Sequence, residues 1–110
     1  MLVSLNYFNF NREVVQNKKK VVILFGMPWC RSSNAFLPTF TKWSKKYTDF
    51  DFKVCDTSKS KYLTKKFKIV APMTFVVMDG KKEINRFVGI QNEEIFEYYL
   101  LKNHLKYFNN

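Results

Sequence analysis

The apolar positions of this chain change period several times, and each change marks an element. Val21-Val22-Ile23-Leu24-Phe25 is a continuous apolar run ending at Gly26, the mark of a strand covered on both faces. Beyond it, Ala35, Phe36, Leu37, Phe40 and Trp43 follow helical spacing, which predicts a helix from about Cys30 to Lys46. Pro38 falls inside that pattern and predicts a kink, because it lacks an N–H and crowds the preceding turn. Val3 to Tyr7 reads as a first strand, and Phe10 to Gln16 as a brief helix before a solvated turn. Phe50 to Cys55 reads as a strand, and Ser60 to Lys66 as a short helix packed through Tyr62, Leu63 and Phe67. Met73 to Met78 and Glu83 to Val88 form a hairpin around Asp79-Gly80. Asn92 is placed to cap a last helix, with Glu93 and Glu94 where the helix dipole favours acid. Ile95, Phe96, Tyr99 and Leu100 should form its buried face. The order β-α-β-α-β-α-β-β-α predicts an α/β protein: a central mixed β-sheet flanked by helices on both faces.

The 110 residues are enough for one domain, expected to span 1–110 as a monomer. No apolar run approaches the roughly 20 residues of a membrane span. Met1 to Asn6 lacks the basic region and cleavage site of a signal peptide, so a cytoplasmic location is expected. Nineteen basic residues against nine acidic give +10, mostly as scattered lysine. That charge suits a solvated surface or an acidic partner surface. No nucleic-acid motif accompanies it, so no nucleic-acid partner is expected. Two cysteines, Cys30 and Cys55, make neither a disulfide framework nor a zinc site. The single histidine, His104, falls in the last helical pattern, so no Cys–His catalytic pair is predicted.

The chemistry gathers at Trp29-Cys30-Arg31-Ser32-Ser33. A buried strand delivers one cysteine to the start of a helix. Unpaired N–H groups and the positive end of the dipole favour thiolate over thiol there. Arg31 adds a smaller, screened contribution, and a hydroxyl at Ser33 is placed to donate to the sulfur. The spacing is C-x-x-S, so the second thiol of a dithiol site is missing. Cys55, near the end of its strand, reads as a small core hydrophobe, with a distant resolving role as the alternative.

The element order, Trp29-Cys30 after a buried strand, Pro38 in the next helix, Ala71-Pro72-Met73-Thr74 before the following strand, the Asp79-Gly80 turn and Gly89 together resemble the thioredoxin family over nearly the whole chain. The resemblance implies the thioredoxin fold and thiol–disulfide exchange with protein clients. It implies that Cys30 is the attacking cysteine and that Ser33 stands at the resolving position. It makes Trp29 an aromatic wall, Arg31 a neighbour of the client, and Pro72 a cis-proline that holds the backbone of Ala71 open to an extended substrate. Several positions depart from the family. Its buried aspartate falls on Leu24, its first tryptophan on Gly26, and its Gly-Pro on Arg31-Ser32. The approach to Pro72 is one residue short. Leu24 and Ser33 are mutually consistent, since an acid that serves the resolving thiol has nothing to serve here.

Disulfide exchange through Cys30 then halts at a mixed disulfide until an external thiol such as glutathione resolves it. No bound cofactor or metal is expected. Two readings remain beside this one: a dithiol reductase carrying an engineered Cys-to-Ser trap at Ser33, and a non-catalytic binding module on the same fold. Coordination of an iron–sulfur cluster with glutathione is compatible with C-x-x-S spacing, but the Gly-Phe motif of monothiol glutaredoxins is missing.

Overall fold

Strands are laid down where the apolar runs fall, and they pair into one five-stranded sheet. A computed structural model describes residues 2–27, 31–89 and 92–108, and of 32, 33 and 103–108 the backbone alone. The strands are β1 (Val3–Ser4), β2 (Lys20–Gly26), β3 (Phe50–Asp56), β4 (Thr74–Asp79) and β5 (Lys82–Val88). The helices are α1 (Arg31–Lys46), α2 (Lys61–Lys66) and α3 (Glu93–Phe108), and a single wide helical turn of π type covers Asn11–Val15. The sheet order is β1-β3-β2-β4-β5. β1 and β2 run parallel to β3, while β4 is antiparallel to β2 and β5 to β4. The mixed sheet predicted from element order is therefore present.

Alternation along the strands divides the core into two layers. Val22, Leu24, Phe52, Phe75 and Val77 point to one face, where Phe36, Phe40 and Trp43 of α1 and Phe96 and Leu100 of α3 cover them. Val21, Ile23, Phe25, Cys55, Val76 and Met78 point to the other, under Val14 of the π-type turn and Leu63 of α2. The first layer is aromatic. Trp43 stacks on Phe96 with ring centroids 4.4 Å apart, and Phe75 on Phe87 at 4.9 Å.

Local chemistry explains where elements start and stop. β1 is shorter than the Val3–Tyr7 strand expected. Asn6 Oδ1 accepts from the N–H groups of Phe8 and Asn9, and Asn9 Oδ1 accepts from Asn6 N–H. These two side chains fold residues 7–9 into a turn in place of more strand. The hairpin turn sits one residue beyond Asp79-Gly80, because Asp79 pairs with Lys82 and Gly80-Lys81 become the central pair. Gly80 supplies φ +61°, the left-handed conformation that a tight hairpin requires at its first central position. α1 runs on through Pro38. The Asn92 cap is as expected: its Oδ1 accepts from Ile95 N–H at 2.9 Å. Helix faces are narrower than predicted. Ala35, Leu37, Tyr62 and Ile95 are exposed, because the stripes that meet the sheet are Phe36–Phe40–Trp43, Leu63–Phe67 and Phe96–Leu100.

One charge crosses the apolar layer. Lys53, only 8% exposed in β3, reaches Glu13 of the π-type turn at 3.1 Å. The hydrogen bond from Lys53, then that from Arg12, holds the Glu13 carboxyl below its ordinary value. A carboxyl lowered in the native state adds stability above its unfolded value, near 4.5, and loses it as pH falls through the native value. Glu13→Gln should therefore be destabilised at neutral pH, with Lys53 left unpaired. It should also lose less further stability than the wild type between pH 7 and pH 3. Urea unfolding at both pH values measures this.

Candidate functional site

The strand ends converge on one edge of the sheet. Phe25 of β2 faces Cys55 of β3 on one side and Thr74 of β4 on the other, and Thr74 faces Val88 of β5. Gly26 closes β2 at this edge, and its carbonyl accepts from Thr57 N–H at 3.0 Å. The chain enters α1 at Arg31, so the Trp29-Cys30 pair lies in sequence between this edge and the helix. Trp29 and Cys30 are outside the described residues, as is the side chain of Ser33. α1 has no acidic residue in its first turn, so nothing there offsets its positive end. Arg31 is exposed.

A cleft of about 140 Å³ opens beside the edge, lined mainly by Leu24, Met27, Asn34, Leu37, Cys55 and Asp56. Leu24 is buried and opposes Phe75, so the position at which the family carries an acid is apolar in this chain. The nearest carboxyl in the lining, Asp56, is partly desolvated, which favours its neutral form. Hydrogen bonds from the Ser58 hydroxyl, Ser58 N–H and Lys59 N–H outweigh that and hold it below its ordinary value. It is an anion at neutral pH, unsuited to donate a proton. Asp56, Asn34 and Met27 carry no motif and were not legible as site residues.

Cys55 is a free thiol, 2% exposed, in the layer under α2. Burial pushes its thiol up to about 11, and the neighbouring Ser60 hydroxyl offsets only part of that. It is protonated at neutral pH and behaves as a core residue. Native protein at pH 8 should be alkylated by iodoacetamide on Cys30 alone, with Cys55 reacting only after denaturation. Peptide mapping with and without urea checks this.

The loop before β4 needs one correction. No cis peptide occurs among the described residues, and Ala71–Pro72 is trans. The chain reverses instead through left-handed backbone at Lys68, φ 53°, and Met73, φ 60°. Met73 is buried in the aromatic layer, and its carbonyl accepts from Gly89 N–H at 2.9 Å, which ties the reversal to the end of β5. The Thr74 hydroxyl donates to the Ala71 carbonyl at 2.7 Å. Ala71 is half-buried, and Val70 and Pro72 are exposed. No cluster of three or more metal-ligating side chains occurs among the described residues.

A mixed sheet of this order with helices on both faces defines a thioredoxin-fold protein, and its sequence carries a cysteine between β2 and α1. The family model for thioredoxin matches residues 1–102. Thioredoxin H5 of Oryza sativa subsp. japonica is 32% identical over 92 residues, 84% of this chain and 68% of that protein. Thioredoxin H5 of Arabidopsis thaliana is 33% identical over 86 residues, 78% of this chain and 73% of that protein. The crystal structure of mitochondrial thioredoxin 3 from Saccharomyces cerevisiae is similar at a TM-score of 0.77 and 29% identity, over 89% of this chain and 92% of that one. The chain belongs to the thioredoxin family and is, at that level, a thiol–disulfide redox protein acting on protein thiols and disulfides.

Proposed function

We propose that this thioredoxin-family protein works with a single reactive sulfur, Cys30, and that a thiol from outside completes each cycle. The observation that carries the reading is the state of its other sulfur. Cys55, though it borders the cleft, is only 2% exposed and has its thiol pushed up to about 11 by burial, and Ser33 offers only a hydroxyl. A hydroxyl stays protonated at neutral pH and does not displace a thiolate. The apolar setting of Leu24 supports the same reading, since among the described residues no buried acid stands ready to deprotonate a resolving group. It also favours a natural single-thiol site over a dithiol protein altered at one position.

In the first step the Cys30 thiolate attacks one sulfur of a client disulfide. A Cys30–client disulfide forms, and the other client sulfur leaves as thiolate and takes a proton from water. Glutathione thiolate then attacks the Cys30 sulfur, and the client leaves fully reduced. A second glutathione displaces Cys30 and departs as glutathione disulfide. By the family resemblance, Trp29, Arg31, Ala71 and Pro72 are the residues assigned to meet the client segment.

Intact-mass analysis after exposure to glutathione disulfide tests this. One glutathione adduct on Cys30 is expected, stable until free thiol is added. An internal Cys30–Cys55 disulfide would overturn the proposal. An alkylation midpoint for Cys30 at the ordinary cysteine value of about 8.5 would favour a non-catalytic binding module.

A further inference from the structure

One corner of the molecule has no part in the thiol chemistry. Phe8 is 88% exposed, and Tyr7 and Tyr62 beside it are 60% and 53% exposed. Tyr7 meets Phe8 at 5.3 Å and Tyr62 at 4.9 Å, both edge to face. Side-chain hydrogen bonds shape the corner. The paired Asn6 and Asn9 side chains fix its backbone, and the Ser60 hydroxyl ties it to the start of α2 by donating to the Leu5 carbonyl at 2.9 Å. A bare phenyl ring held out on a fixed turn gains nothing from water and loses little entropy on being covered.

Basic charge borders it on the α2 side. From Thr57 to Met78 the chain carries five lysines, at 59, 61, 65, 66 and 68, and no acidic residue. Helical spacing puts Lys61 and Lys65 on one row of α2 and Tyr62 and Lys66 on the next. Lys66 Nζ lies 5.9 Å from the Phe10 ring, so the lysine row borders the aromatic corner. Lys61, Lys65 and Lys66 form no salt bridge among the described residues.

We propose that this corner docks the protein on an anionic lipid bilayer, with Phe8 entering the interface, Tyr7 and Tyr62 at headgroup level, and the α2 lysines on the lipid charge. Two weak signals of this kind, an apolar wedge and a polybasic patch, are what reversible surface binding requires. Tyrosine suits the headgroup region because one end of its ring is apolar and the other polar. The shape favours a bilayer over other polyanions. A protruding ring is not a groove for an acidic peptide, and mutually perpendicular rings make no flat platform for stacked bases.

Vesicle co-sedimentation of the full chain is the test, with phosphatidylcholine alone and with about a third phosphatidylserine. Binding is expected to the mixed vesicles only. It should fall steeply as salt rises from about 0.1 M to 1 M, where screening shortens from about 10 Å to about 3 Å. Phe8→Ser should weaken it about tenfold, since most of the ring's burial is lost. Lys65→Glu/Lys66→Glu should weaken it at least as much. All these side chains are exposed, and circular dichroism establishes that the variants are folded. No binding, equal binding to neutral vesicles, or indifference to Phe8→Ser would overturn the proposal. So would binding of a polyglutamate peptide or an oligonucleotide that competes fully with vesicles and ignores Phe8→Ser, which would make the lysines a site for a soluble polyanion.

Discussion

Cys30→Ala abolishes disulfide exchange. Insulin reduction coupled to glutathione should run, with this variant, at the rate of glutathione alone. The expectation follows from the sulfur inventory: with Cys30 gone, the one thiol left is Cys55, which is buried and protonated. Circular dichroism and a melting curve establish that the variant is folded. Ser33→Cys supplies the complementary result. A second thiol three residues along attacks the mixed disulfide at high effective concentration, so client release should no longer depend on added glutathione and should quicken by roughly a hundredfold or more. Time-resolved quenching of the mixed disulfide measures it. Unchanged release from Ser33→Cys would show that position 33 does not face the sulfur.

Phe96→Ala is the most damaging single substitution expected in the core. Phe96 is fully buried and joins α3 to the sheet and to α1. Its ring stacks on Trp43 at 4.4 Å and lies within 6.5 Å of the rings of Phe40, Phe52, Phe75 and Phe87. Truncation removes the buried ring and leaves a cavity whose walls are large and rigid, which costs about 3–5 kcal/mol. Native domains are stable by only about 5–15 kcal/mol, so the variant should unfold at much lower urea concentration. Its Trp43 emission should report the transition directly. A loss under about 1 kcal/mol would mean that α3 is peripheral to folding.

Much of this architecture could be read from side-chain pattern because the strongest patterns were also the most buried. Val21 to Phe25 allowed no element but a two-sided strand. Asn92 followed by two glutamates allowed no place but a helix start. The failures lie where a single contact overrides a pattern. Nothing in Val3 to Tyr7 forbids a longer strand; the reciprocal bonds between Asn6 and Asn9 end it. Ile95 has the right spacing for the core but falls just outside the arc of α3 that the sheet covers. Lys53 sits in a buried strand because Glu13, far off in sequence, meets it. Pro72 matches a family position, yet the reversal there uses left-handed Met73, a conformation that a methionine side chain does not announce. At the site, the motif at Trp29 to Ser33 and the loss of acid at Leu24 were visible in single residues. The cleft was not, because Asn34, Met27 and Asp56 come together only through topology.

β2 is hydrogen-bonded along both edges, to β3 and to β4, and its central residues are closed off on both faces. Such a strand is among the last to give up its amide protons to deuterated solvent, and does so only when the whole molecule opens. It ends four residues before Cys30. The sulfur proposed to react is therefore joined, a few residues on, to the part of the chain expected to exchange slowest. On the proposed cycle, capture and release of a client at Cys30 are governed by thiol chemistry and opening of the sheet by a separate process, so one folded molecule is expected to complete many cycles.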